Sequence, residues 1–263
     1  MDLNLKGKVV VISGTTSGIG KACCFKFLQE GCKLAVTGRD AAKVAALVEE
    51  LNAPEGCLYS HVGDVRNEAD MKAFIDGAYN YFGRIDVLVP NAGYEGKWEY
   101  INQITVENLD KVLQTNVYGV IFMIKHAADY MTAQGKGSIV VVSSDGALLG
   151  SPGMGVYVAS KHAVQAIVKT AGAELGPKGI TVTSVNPGGV ETPMIHRIED
   201  NAFGHTEMTR AEKSAVFENN YFDKRYARAD EIADIILFLA SEKASHMFGE
   251  RVSCDGGECC TRP

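Results

Sequence analysis

The chain has no apolar run long enough to span a bilayer, which takes about 20 helical residues; stretches such as VYGVIFMI (117–124) are far shorter. Its first residues, MDLNLKGK, carry no signal-peptide core, so the expected location is cytoplasmic. Basic clusters are missing as well. With a formal net charge of −6, the chain offers a nucleic-acid backbone nothing to bind. The seven cysteines (Cys23, Cys24, Cys32, Cys57, Cys254, Cys259 and Cys260) are scattered and form no CxxC pair, which points to reduced, mostly buried thiols. No His and carboxylate set accompanies Cys259 and Cys260, so no metal site is expected. Linkers, internal repeats and low-complexity tracts are absent too. A composition of 46% hydrophobic and 22% charged residues suits one globular domain over residues 1–263.

What the chain does have is a rhythm. KVVVIS (8–13) is a short β-branched run without alternation, as expected of a parallel strand buried on both faces, and it passes through GTTSGIG into the helical stretch KACCFKFLQEG. KLAVTG (33–38) precedes the helix AAKVAALVEEL, CLYSHVGDV (57–65) the helix EADMKAFIDGAYNYF, and IDVLVPNAG (85–93) a long helical region from about Val106 to Met131. GSIVVVSS (137–144) precedes a helix holding YVASK (157–161), and GITVTSVNPG (179–188) a less regular segment. Alternation of this kind predicts an α/β fold, a doubly wound parallel sheet of about seven strands with helices on both faces. Ligands of such sheets bind beyond the carboxyl ends of the strands, where the strand order reverses. Residues 190–228 interrupt the rhythm before the helix ADEIADIILFLASE and a last strand near RVSCDG, and a connection that long is expected to be a substrate lid.

In the first of these strand ends, Gly14, Thr16, Ser17, Gly18, Ile19 and Gly20 form a loop that opens a helix. Glycines there permit a tight turn and close backbone approach, and the helix N-terminus favours a pyrophosphate. A phosphate loop of the nucleotide-triphosphate type is excluded, because no Gly-Lys-Ser/Thr follows. At the end of the second strand, Gly38 stands where an NAD site would hold a carboxylate, and Arg39 follows it. A guanidinium suits a 2′-phosphate, which favours NADP(H) over NAD. Against this stand a reading of Arg39 as a solvated surface charge, of Asp40 as the next helix's N-cap, and the lack of a second basic residue in the glycine loop. Asp64 and Val65 are placed to meet an adenine, and Asn91, Ala92 and Gly93 to let the backbone pass close to a cofactor.

These residues, with Asn116, Ser144, Tyr157, Lys161, Pro187, Gly188 and Thr192, make the chain resemble the short-chain dehydrogenase/reductase family over essentially its full length. Ser13, where the family often has Thr, is a small departure. The resemblance implies a Rossmann-like fold and hydride transfer between nicotinamide and an alcohol or ketone. Tyr157 and Lys161, spaced i, i+4, share a helix face. A phenol with a pKa of about 10 is a poor base at neutral pH, and a nearby ammonium and a positive nicotinamide should lower it. Tyr157 would then move the substrate proton, and Ser144 would donate to the substrate oxygen. From the family, Lys161 would also bind the nicotinamide ribose, Asn116 would hold a relay water, and Pro187, Gly188, Val190 and Thr192 would meet the nicotinamide end.

Substrate groups are expected from Tyr94, Glu95 and Trp98, from Leu148, Leu149 and Met154, and from the lid, including Met194, Ile195, Phe203, Met208 and Phe217. Their apolar character suggests a hydrophobic or ring-shaped alcohol such as a hydroxysteroid, or an acyl chain as in a 3-oxoacyl reductase. Glu95 and Glu258 leave a sugar or polyol open. Family habit suggests a homotetramer, or a dimer, to which the apolar faces of the helices near 106–131 and 157–175 would contribute. Rival readings are a non-catalytic cofactor-sensing binding protein and a nucleoside-cofactor methyltransferase, which leaves YVASK unexplained.

Overall fold

All five residues of the first strand, β1 (Val9–Ser13), are buried, and they divide between two layers. Val10 and Ile12 face one hydrophobic core while Val11 faces the other, the two-residue alternation of a strand covered on both sides. Around it the computed structural model, which describes residues 2–204 and 206–261, has six further strands. These are β2 (Lys33–Gly38), β3 (Leu58–Val62), β4 (Val87–Val89), β5 (Gly137–Val142), β6 (Ile180–Pro187) and β7 (Arg251–Cys254). All pair in parallel, in the order β3-β2-β1-β4-β5-β6-β7. The order therefore reverses between β1 and β4.

Helices α1 (Gly18–Gln29), α2 (Ala41–Leu51), α3 (Glu68–Phe82), α4 (Val106–Leu113), α5 (Gly119–Gln134) and α6 (Gly155–Leu175) fill the crossovers. Local chemistry sets several of their ends. Asp40 caps α2 and Asn67 caps α3, each accepting a backbone N–H, while Asn52 and Gly83 stop them in left-handed conformations. The helical region expected from Val106 contains a π-turn, Gln114–Tyr118, between α4 and α5. Strands β3, β4 and β5 are shorter than their apolar runs suggest. The residues that follow leave the ladder: Pro90 breaks it after β4, and the Asp64 N–H donates to the Asp70 carboxylate after β3.

The irregular segment 190–228 folds into α7 (Pro193–Phe203) and α8 (Arg210–Glu218), followed by α9 (Ala229–Ala240) and the short α10 (Glu258–Thr261). A parallel bridge between Val190 and Ala227 closes its base. Glu199 of α7, 0% exposed, holds the segment together: it accepts hydrogen bonds from Ser214 Oγ (2.7 Å), Tyr226 Oη (2.7 Å) and Arg210 Nη1 (2.6 Å). Burial opposes its charge, but these donors and His196 hold its carboxyl below the usual range. The expected lid includes His205, and the C-terminal tail includes Arg262 and Pro263; these three lie outside the described residues. Replacing Glu199 with Ala should cost about 3 kcal/mol, typical of a buried charge network losing one partner. Urea unfolding measures the cost, and proteolysis within 193–218 should quicken in the variant.

Candidate active site

A cleft of about 740 Å³ runs along the carboxyl ends of the strands across the reversal between β1 and β4. At its floor two loops meet. Gly14 has φ 66°, and a Cβ there would lie 2.7 Å from Ala92 Cα, so only glycine lets the loop after β1 touch the loop after β4. Ser13 Oγ accepts from Asn91 N (3.1 Å) and Ala92 N (3.2 Å), and Asn91 Nδ2 donates to the carbonyls of Ser13 and Gly14, both at 3.0 Å. The serine hydroxyl thus serves two backbone N–H groups of the loop after β4. Thr16, Ser17, Gly18 and Ile19 line the cleft where α1 begins, and Gly20 is buried behind them.

One end of the cleft is formed by Gly38, Arg39, Asp40, Lys43, Asp64 and Val65. A Cβ on Gly38 would lie 2.9 Å from Thr16 Cγ2, so a longer side chain has no room without displacing Thr16. Asp40 spends its carboxylate on capping α2, accepting from Lys43 N at 3.1 Å. Asp64 is held by the Arg66 Nε at 2.9 and 3.0 Å, and this hydrogen bonding keeps its carboxyl below the usual range. Arg39 and Lys43 are exposed on the rim, two cations beside one another at the start of α2. Lys43 was not singled out by the sequence reading because it belongs to the helix, outside the glycine loop.

At the middle of the cleft Ser144, Tyr157 and Lys161 come together. Ser144 Oγ and the Tyr157 ring each lie within 3.4 Å of the point where a Gly146 Cβ would sit. The Lys161 ammonium is 5.6 Å from the Tyr157 ring centroid and donates to the Val142 carbonyl at 3.1 Å. Lys161 is 4% exposed, and burial brings its pKa down to about 8. Tyr157 differs from the sequence expectation: burial pushes its hydroxyl above the ordinary phenol range, with Asp145 and Glu95 adding to the rise and Ser144 opposing it. The neighbouring amine gives little opposition, because Lys161, lowered to about 8, has lost its proton before a phenol raised this far ionises.

Asn116 sits in the π-turn, whose wider backbone register separates α4 from α5. Its amide bridges to the loop after β4, accepting from Tyr94 N (2.8 Å) and donating to Tyr94 O (3.0 Å) and Ser160 Oγ (2.9 Å). It makes no direct bond to Lys161. Asn186, 0% exposed and absent from the sequence reading, donates to the Ser144 carbonyl at 2.8 Å and so supports the turn that carries Ser144. A single Asn inside an apolar strand gives little signal in sequence.

Pro187, Gly188, Val190 and Thr192 line the wall beside this centre, with Gly93, Tyr94, Met154 and Met194. Leu149, Ile195 and Phe217 line it too, but Leu148, Phe203, Met208, Glu95 and Trp98 do not. Glu95, 4% exposed, is instead paired through both oxygens with Arg197 of α7, at 2.5 and 3.1 Å, and Trp98 packs against Gly153. Glu258 reaches the wall from α10. Among the described residues there is no cluster of His, Cys, Asp and Glu suited to a metal, and no helix long and apolar enough to cross a membrane.

The profile of a family described as enoyl-(acyl carrier protein) reductase matches residues 14–258. The chain belongs to the short-chain dehydrogenase/reductases. It is 34% identical to the 3-oxoacyl-[acyl-carrier-protein] reductase FabG of Thermotoga maritima over 255 residues, 97% of this chain and 99% of that protein. A crystal structure of levodione reductase superposes with a TM-score of 0.89 at 32% identity, covering 97% of this chain and 99% of the other. Two further structures, each 28% identical and covering 97% of this chain and 100% of the other, are a 3-ketoacyl-(acyl-carrier-protein) reductase of Brucella melitensis complexed with NADH (TM-score 0.86) and ElxO with NADP bound (TM-score 0.87). As a member of this family the chain is an NAD(P)-dependent oxidoreductase acting on CH–OH or keto groups.

The buried Lys161 has a measurable signature in this short-chain dehydrogenase/reductase. Between pH of about 8 and 10.5 the unfolded chain binds a proton that the native state does not, so this residue makes stability rise with pH in that window. Below it both states are protonated and the full burial cost remains. Lys161→Met should therefore be more stable than the parent near pH 7, with the gap narrowing toward pH 10; urea denaturation at the two pH values checks it.

Proposed function

We propose that this chain interconverts a secondary alcohol and a ketone, with NADP(H) preferred to NAD(H). The observation that carries this reading is the meeting of Ser144, Tyr157 and Lys161 at the middle of a cleft whose floor is a glycine loop opening a helix. That floor suits a dinucleotide: the Gly14 approach to Ala92 leaves no side chain in the path, and the N-terminus of α1 favours a pyrophosphate. Arg39 and Lys43 would hold a 2′-phosphate, Asp64 and Val65 the adenine, and Asn91, Ala92 and Gly93 the middle of the molecule. Pro187, Gly188, Val190 and Thr192 would meet the nicotinamide, and Lys161 its ribose. Bound there, the cofactor supplies hydride transfer.

Tyr157 holds the proton that the substrate oxygen gains or loses. Because the protein's own groups raise its pKa, Tyr157 rests as a neutral phenol at neutral pH, the form that donates to a ketone in the reductive direction. Ser144 orients the substrate oxygen. Lys161 offsets charge that develops on the phenol, and Asn116, through Tyr94 and Ser160, keeps the loop and α6 in register beside a relay water. Leu149, Met154, Met194, Ile195 and Phe217 make the substrate wall apolar, which supports a hydrophobic or ring-shaped substrate such as a hydroxysteroid. With Glu95 tied to Arg197, a polyol reading loses one of the two carboxylates it relied on. Tyr118 and Ile121, exposed on one side of the π-turn and α5, support a homotetramer or dimer in which this face meets a second copy.

Tyr157→Phe should lower turnover by about 10²-fold or more while leaving cofactor affinity nearly unchanged, because only the proton is removed. Steady-state rates and a fluorescence titration with NADPH read the two effects separately. Arg39→Ala combined with Lys43→Ala should weaken NADPH about tenfold or more, some 1.4 kcal/mol, with little change for NADH. Equal loss of both nucleotides would contradict the phosphate assignment.

A further inference from the structure

Along α7, Met194, Ile195 and Ile198 line the cleft, and Arg197 lines it with them. Residues three and four apart share a helix face, so the guanidinium follows Met194 on one face, about 4.5 Å further along the axis. Met194 marks the near end: its Cε lies 3.8 Å from where a Cβ on Gly93 would sit, in the loop proposed to border the cofactor. Arg197 thus brings a cation to a wall that is otherwise apolar, one turn along α7 from that loop.

Only one edge of the guanidinium is used. Nε donates to Glu95 Oε1 at 2.5 Å and Nη2 to Glu95 Oε2 at 3.1 Å. A guanidinium has five N–H groups in a fixed fork, so this edge takes two of them. Nη1 and the second N–H of Nη2 donate to no atom among the described residues. Glu95 itself is firmly held. On one side Asn116 bonds both backbone groups of Tyr94, at 2.8 and 3.0 Å. On the other, Gly96 takes φ 79° and Lys97 N donates to Asn108 Oδ1 at 2.9 Å. With its neighbours anchored and its carboxylate 4% exposed, Glu95 sets the plane in which Arg197 lies. A donor edge placed in advance costs little further ordering when a ligand meets it.

We propose that Arg197 is a specificity-determining residue, whose outer guanidinium edge receives a neutral oxygen of the substrate, a hydroxyl or carbonyl remote from the reacting ketone. The substrate is then an apolar ketone with a second oxygen function, a narrower class that rests on the alcohol–ketone reading above. Charge favours a neutral oxygen over a carboxylate. Glu95 already matches the charge of Arg197, and Asp145 and Glu258 add carboxyl groups to the lining of the same cleft. An anion would enter against them. Because the Arg197 side chain is 53% exposed, water can replace the missing oxygen of a plain ketone. The discrimination should therefore be about tenfold, well short of the 10⁴ reached where a buried donor is left unpaired.

The test compares ketones matched in shape, at two sizes because the reach is set by the substrate. The larger set is 5α-androstan-3-one, its 17β-hydroxy derivative and its 17β-carboxylate; the smaller is 4-methylcyclohexanone, 4-hydroxycyclohexanone and 4-oxocyclohexanecarboxylate. With NADPH, the hydroxylated member of at least one set should exceed its plain partner in kcat/KM by about tenfold or more, mainly through KM. Glu95→Gln combined with Arg197→Met removes the donor edge without leaving a buried carboxylate unpaired, and should bring that ratio close to one. A ratio kept in the double variant, with both ketones losing equally, would show that the pair only anchors α7 and would overturn the proposal. Preference for the carboxylate would overturn the assignment of a neutral oxygen. Calorimetric binding of the same compounds to protein saturated with NADP repeats the comparison without turnover, and equal binding within each set, or no binding of any oxygenated member, would also overturn it. No turnover of any ketone, beside a binding preference that the double variant loses, would count against the oxidoreductase reading and leave the Arg197 assignment standing.

Discussion

Polar side chains that answer backbone groups at the carboxyl ends of the parallel strands hold this cleft together. Asn91 donates to the carbonyls of Ser13 and Gly14 at the end of β1, Lys161 to that of Val142 at the end of β5, and Asn186 to that of Ser144 just beyond. Asn116 closes both backbone groups of Tyr94. Buried backbone groups that lose ladder partners must find others, so each of these side chains is fixed by necessity. The residues proposed for chemistry are therefore positioned by the same bonds that complete the sheet.

Burial has a cost that the site turns to use. The Lys161 ammonium is drawn away from water, which lowers its pKa, and the Tyr157 phenol is kept neutral by the same desolvation. A cofactor that carries positive charge in its oxidised form would lower Lys161 further and bring Tyr157 back down, whereas the protein alone rests in the form suited to giving a proton. Beside them the segment 190–228 is tied down by charge: Glu199 joins α7 to α8 and to Tyr226, and Arg197 reaches Glu95 in the loop after β4. The apolar wall between these anchors stays open to a substrate.

Sequence carried the sheet and the strand-end motifs because their signals are local. A β-branched run, a glycine at a turn, or a Tyr and Lys four residues apart can each be read within a few positions, whereas the strand order depends on pairings between distant segments. The π-turn at Asn116 escaped because it is a change of backbone hydrogen-bond register within an otherwise ordinary helical pattern. Glu95 looked like a pocket residue by its place after β4, but its partner Arg197 lies 102 positions away, and no local pattern links them. Lys43 was hidden by the periodicity of α2, where a lysine reads as a solvated surface charge, and helices α7 and α8 by the mixed polar and aromatic character of 190–228.

The central claim is that the cleft along these strand ends receives a nicotinamide dinucleotide. Hydrogen–deuterium exchange of the cofactor-free protein against protein saturated with NADPH tests it most directly. Slower exchange should appear together in 14–20, 91–95 and 187–194, with the α2 start around Arg39 and Lys43 joining them. Protection confined to other surfaces, or none in these segments at saturating NADPH and NADH, would contradict the account.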